Sequence, residues 1–153
     1  MMTVLSRWQA RASAAVLVAG LSACAGAPTE LQLTMNSGQR LNPDVTGMSM
    51  PVQVHVYLLK STARLDGADY FQLSDPDKHV LGDDVVSSQE LVLRPGTATT
   101  LKFKLTDEAK FVGVVAGFQK IDSATWRGSL AVPETGKAVA SLSDDSVVLQ
   151  KTN

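Results

Sequence analysis

The chain has a single cysteine, Cys24, so no disulfide can form within it. It has two histidines, His55 and His79, and few aromatic residues. That leaves little material for a histidine-rich metal centre or an aromatic-lined cavity. No apolar run reaches the roughly 20 residues needed to cross a bilayer, and the body of the protein reads as soluble. No G-x-S-x-G elbow, H-E-x-x-H, P-loop or Rossmann fingerprint occurs. With no motif for nucleophilic, metal-assisted or nucleotide chemistry, an enzyme is not expected. An excess of basic residues is lacking too: the formal net charge is −1. Without Arg7 and Arg11, near the N-terminus, twelve basic residues face fifteen acidic ones. This balance argues against a nucleic-acid partner.

The N-terminus is the first informative segment. Arg7 and Arg11 precede a short apolar stretch, Ala12 to Leu21, and the first acid is Glu30. Small residues Ser22 and Ala23 follow, then Cys24. This is the layout of a signal peptide over residues 1–23. Leu21-Ser22-Ala23-Cys24 resembles the bacterial lipobox, in which the cysteine sulfur receives a diacylglycerol and a third acyl chain joins the new N-terminus. More than one chain makes anchoring stable. Cys24 is therefore expected to carry lipid, with residues 24–30 as a short tether. By resemblance to bacterial lipoproteins, Ala25 after the cysteine favours export to the outer membrane.

Residues 31–153 read as one domain. Val52 to Lys60 alternates, with Val52, Val54, Val56 and Leu58 on one face and Gln53, His55 and Tyr57 on the other. Leu31 to Met35 shows the same pattern. Further strands are expected over 90–93, 99–105, 111–118, 126–132, 138–142 and 147–150. Phe111 to Phe118 is apolar on both faces, as a central strand would be, and Gly113 and Gly117 suggest a bulge or close packing. Between the strands, 61–88 reads as a small helical insertion. Leu65, Ala68 and Phe71 recur at helical spacing, with Asp66 as a cap and a second start at Ser74-Asp75-Pro76. About eight short strands separated by turn signals give a mainly β, two-sheet sandwich.

Two segments are candidate sites. Asp75, Asp77 and His79 lie close in sequence, but a calcium loop needs more oxygens and a glycine-enforced turn. They read more simply as a capped helix start. The segment 37–51 contains two glycines and two prolines and no sustained period, so it reads as a long loop. It carries Leu41, Val45, Met48 and Met50. These either form an exposed protein-binding surface or fold back to cap the sandwich edge.

The lipobox followed by LNPDVTGMSMPVQVHVYLLK resembles the TssJ lipoprotein family of the type VI secretion system. The carrying residues are Asn42, Pro43, Asp44, Gly47, Pro51 and Tyr57. Ala68-Asp69-Tyr70-Phe71, the ELVLRPG turn and FVGVVAGFQKIDSATWR match as well. Ser49 and Leu58 depart from the family pattern. The resemblance implies a transthyretin-like β-sandwich, an outer-membrane lipoprotein facing the periplasm, and no cofactor. It implies as partner the periplasmic C-terminal region of TssM, met by the loop between the first two strands. On this chain that loop supplies Arg40, Leu41, Asn42, Pro43, Asp44, Val45, Gly47 and Met48, with Leu41, Asn42 and Met48 expected to dominate. The alternative is a transthyretin-like module that binds a small ligand or sugar in an aromatic-lined pocket.

Overall fold

The computed structural model describes residues 26–75 and 78–152. Cys24 and the 1–23 segment lie outside the described residues, as do Pro76 and Asp77. Eight strands form two sheets of four. The strands are β1 (Glu30–Leu41), β2 (Val52–Leu59), β3 (Val85–Leu93), β4 (Ala98–Lys104), β5 (Phe111–Ala116), β6 (Arg127–Ala131), β7 (Lys137–Asp144) and β8 (Ser146–Lys151). The first sheet runs β4-β1-β7-β8 and the second β3-β2-β5-β6. All pairings are antiparallel except β1 with β7. Two short helices, α1 (Ala63–Gly67) and α2 (Tyr70–Ser74), and a 3-10 turn at Gly82–Asp84 lie between β2 and β3. Among the described residues no helix is long and apolar enough to cross a membrane.

Strand alternation builds the core. Leu31, Leu33 and Met35 of β1 face Val52, Val54, Val56 and Leu58 of β2 across the sandwich, and all are buried. Central strand β5 is buried on both faces, as its sequence indicates. Its outer face, with Leu59, is covered by the insertion: Leu59, Val115, Leu65 and Leu81 form a second apolar cluster. Among the described residues, the buried core lies within residues 31–147.

Arg127 holds the insertion in place. Its guanidinium donates to the Leu65 carbonyl at 2.7 Å and to the Ala68 carbonyl. It also sits 4.7 Å above the Trp126 ring. Trp126 touches both apolar clusters, consistent with an anchor in the core. Gly113 and Gly117 are sites of close packing. A Cβ on Gly113 would lie 2.7 Å from Leu65 Cδ2, and one on Gly117 would lie 2.6 Å from the Tyr70 hydroxyl.

The structure differs from the sequence pattern in three places. First, β1 continues to Leu41, past the expected end at Met35. Ser37 still pairs with Leu142, and pairing with β7 resumes at Leu41↔Asp144 after a register shift, so residues 38–40 form a bulge inside a strand. Second, the insertion stops at Asp84, because Val85 to Ser88 pair with the end of β2. Third, Asp66 lies inside α1 and caps nothing. The capping residue is Asp69, which forms a reciprocal capping box with Gln72. Asp75 caps the end of α2, and the second helix start expected at Ser74-Asp75-Pro76 runs into Pro76 and Asp77, outside the described residues.

The tether is also shorter than residues 24–30. The Thr29 carbonyl accepts from Leu105 N–H at 2.9 Å, and Gln32 N–H donates to the Gly136 carbonyl at 2.8 Å. Gly136 has φ of +65°, and a Cβ there would lie 2.6 Å from the Glu30 carbonyl oxygen. The chain is thus fastened to the sandwich from Thr29 onward.

Replacing Gly113 by Ala should cost about 1–3 kcal/mol, because Leu65 and Leu59 have no room to retreat. Urea unfolding followed by tryptophan fluorescence measures this, with an unchanged slope expected.

Candidate functional site

The loop between β1 and β2 begins at Asn42, a polar residue buried at the rim of the core, at 3% exposure. Burying an amide is costly unless it is hydrogen-bonded, and here it is. Its Nδ2 donates to the Pro51 carbonyl at 2.9 Å. Its Oδ1 accepts from Gln119 N–H at 2.8 Å. Its own N–H donates to the Asp144 carbonyl at 2.7 Å. Asn42 has φ of +46°, a conformation that asparagine tolerates better than most residues. Three connections meet on this one side chain and its backbone: β1–β2, β5–β6 and β7–β8.

Beyond it, Asp44 organises the tip. Its Oδ1 accepts from the Thr46 hydroxyl at 2.7 Å, Thr46 N–H at 2.8 Å and Met48 N–H at 2.9 Å. The backbone closes the same ring: Asp44 N–H donates to the Met48 carbonyl and Gly47 N–H to the Asp44 carbonyl. This is an Asx-type turn, and Gly47 supplies its left-handed residue at φ of +84°. The Thr46 hydroxyl first, and then Met48 N–H, hold the Asp44 carboxyl below its ordinary value of 3.8. The base is sealed as well. Met50 N–H donates to the Leu41 carbonyl at 2.9 Å, and Leu41 N–H to Ser49 Oγ at 3.3 Å.

The candidate residues divide by burial. Leu41, Asn42 and Pro43 are buried, so Leu41 and Asn42 are not displayed to a partner as the loop reading supposed. They hold the loop's shape from inside. Asp44 is half-buried and occupied with the turn. Arg40 is exposed and its Nε lies 2.5 Å from Asp144 Oδ1. Gly47 is exposed. Val45, at 98% exposure, and Met48, at 65%, stand out at the tip with Thr46 between them. The two options for the loop's apolar residues are both realised, by different residues. Sequence reasoning missed Thr46 and Gln119. Thr46 had a signal, since Asp-x-Thr is an Asx-turn pattern. Gln119 had none, lying 77 positions from Asn42.

A second concavity lies on the outer face of β2 and β3, beneath α2. It is a groove of about 420 Å³ lined in part by Tyr57, Leu73, His79, Leu81 and Val85. His55 and Tyr57 stack beside it, 6.3 Å apart, and His55 Nδ1 lies 3.6 Å from Glu90. Asp75 and His79 both line the groove. Among the described residues, no three His, Cys, Asp or Glu side chains come together.

The geometry is that of an eight-stranded sandwich presenting a braced, apolar-tipped loop. Comparison with known proteins gives its kind. Residues 29–150 match the family described as type VI secretion lipoprotein, VasD, EvfM, TssJ. The chain belongs to this family. The type VI lipoprotein TssJ1 from Pseudomonas aeruginosa is 30% identical with a TM-score of 0.75, covering 82% of this chain and 98% of that one. Serratia marcescens Lip, a membrane-bound component of the type VI secretion system, is 27% identical with a TM-score of 0.73, covering 80% and 97%. A chain in a structure of the type VI membrane complex is 28% identical with a TM-score of 0.72, covering 80% and 98%. A chain in a structure described as the TssM C-terminal domain from EAEC is 27% identical with a TM-score of 0.67, covering 80% and 98%. No curated protein matches the sequence.

Two outcomes check the loop geometry. Asn42→Ala should destabilise the domain by about 3 kcal/mol, since Gln119 N–H and the Pro51 carbonyl lose their partner and alanine is strained at positive φ. Chemical denaturation beside wild type measures it. The second outcome concerns pH. The Asp44 value is lowered by folding, so its bonds contribute above 3.8 and are lost as pH falls through the lower folded value. The amide resonances of Thr46 and Met48 should titrate with a midpoint below 3.8. Asp44→Asn should abolish that titration.

Proposed function

We propose that this protein is the outer-membrane anchor of a type VI secretion membrane complex. Lipid on Cys24 holds it on the periplasmic face, and the 42–51 loop docks the periplasmic region of TssM, bracing the channel across both membranes. One observation carries the reading: the loop shows apolar side chains outward while its own hydrogen bonds are satisfied inward. A loop that needed its apolar groups for folding would bury them. Family membership and the likeness to a chain of the type VI membrane complex support the partner.

The position of the loop also fits. β1 runs from the fastened tether to the loop in twelve residues, about 35 Å at the usual rise per residue. The loop therefore projects from the end opposite the anchor. Burying a Val or Met side chain contributes about 1.5–3 kcal/mol, so two at the tip supply a useful part of a docking energy without any enzymatic chemistry.

Two experiments test the halves separately. With Cys24→Ser, label from radioactive palmitate should disappear and the protein should leave the outer-membrane fraction in cells lacking TssM. A Ser variant that stays with the outer membrane there would end the anchor reading. Val45→Asp with Met48→Asp should weaken calorimetric binding to a TssM periplasmic fragment by about a hundredfold or more, at an unchanged melting temperature. Unchanged affinity would move the site off the loop. The groove beside Tyr57 and Tyr70 favours a second reading, a small-ligand or sugar module. A rise in thermal midpoint with a sugar or metabolite, abolished by Tyr57→Ala, would support it.

A further inference from the structure

Six of the eight lysines are gathered by the fold at the tether end of the sandwich. The strand register shows it. On the first sheet, Lys104 pairs with Glu30, Lys102 and Lys137 both pair with Gln32, and Lys151 pairs with Ala138. On the second sheet, Lys60 follows the end of β2, and Lys110 precedes β5 with its N–H on the Leu59 carbonyl. All six are exposed. Two have carboxylate partners: Lys60 with Glu108 at 3.3 Å and Lys102 with Glu30 at 3.5 Å. Among the described residues, Lys104, Lys110, Lys137 and Lys151 have no carboxylate within 4.0 Å. Asp107, Glu134 and, at the flank, Asp83 and Asp84 are the further acids there, Asp84 paired with Arg64 at 3.5 Å. Counted together, acids and bases at this end are close to balance, but four of its lysines are free of a partner carboxylate, while in the rest of the chain acids outnumber bases.

We propose that this lysine-bearing end is a docking face for an anionic phospholipid headgroup surface. The proposal rests on the reading of Cys24 as the lipid anchor. From Cys24 to Thr29, where the chain is fastened, five residues span at most about 17 Å. Screening in physiological salt acts over about 8 Å, and lysine side chains reach outward on flexible stems. An anchor this short holds the four free lysines where headgroup charge is felt. Attraction there turns the opposite end, with Val45 and Met48, away from the bilayer. The lipid would fix where the protein is, and the lysines how it stands.

The test uses residues 24–153, with the lone thiol of Cys24 coupled to a maleimide-bearing lipid in vesicles. Natural acylation then plays no part, so the result is independent of the palmitate experiment. Vesicles of phosphatidylcholine alone are compared with equal parts phosphatidylcholine and phosphatidylglycerol. An amine-acylating reagent reads each lysine by mass spectrometry. On anionic vesicles Lys104, Lys110, Lys137 and Lys151 should react about fivefold more slowly than on neutral ones, with Lys120 at the far end unchanged. In about 1 M salt, where screening acts within about 3 Å, the protection should vanish. With Lys104→Gln, Lys137→Gln and Lys151→Gln combined, protection of Lys110 should fall. Equal reactivity on both vesicles, or protection of Lys120 to the same degree, overturns the proposal.

Discussion

The loop end of the molecule depends on a buried amide. Asn42 leaves β1 with its side chain inside the protein, where an unpaired amide would be strongly unfavourable. Its bonds to Pro51 and Gln119, and its backbone bond to Asp144, close three connections against one another. The loop beyond is therefore not suspended from two strand ends. It rises from a fixed platform, and Asp44 then sets its curvature with three bonds to one oxygen. Val45 and Met48 can remain exposed because nothing in the fold needs them. Preorganisation of this kind lowers the ordering cost a partner would otherwise meet on binding.

The covering of the second sheet follows a different rule. β5 is apolar on both faces, so one face must be covered by something outside the sandwich. The insertion between β2 and β3 does this with Leu65 and Leu81, and two short helices could not hold their position unaided. Arg127 supplies the fastening by donating to carbonyls at the end of α1, which the helix leaves without internal partners. Gly113 and Gly117 let the insertion approach the sheet. Helix, arginine and glycines act as one device, although they are far apart in sequence.

Strands with strict alternation were legible from the sequence. Val52 to Leu58 and Leu31 to Met35 fall into register because a period of two leaves one solution for which face is buried. Local punctuation misled where pairing overruled it. Ser37 and Gly38 look like a loop start, yet β7 lies alongside, pairs with Ser37 and takes up residues 38–40 as a bulge. Val85 to Ser88 is too short a run to be read as a strand from two valines and two serines, and becomes one because β2 is available to pair. The loop was identified as the candidate site from its composition and from family resemblance. Its division into inward Leu41 and Asn42 and outward Val45 and Met48 was not legible. That division depends on Gln119 and Asp144, which no local pattern links to Asn42. The gathering of lysines at one end was hidden for the same reason: they are scattered in sequence and meet only through strand register.

The parallel pairing of β1 and β7 has a mechanical consequence. β1 joins the tether to the loop, and it is flanked on one side by β4 and on the other by β7. With the anchoring and docking proposed above, a pull between membrane and partner would travel along this strand. Force along a strand paired on both sides loads its hydrogen bonds in shear, many at once. Force across an edge strand would open them one after another. The chain thus places its line of tension on an interior strand of the first sheet, the arrangement that yields least to stretching.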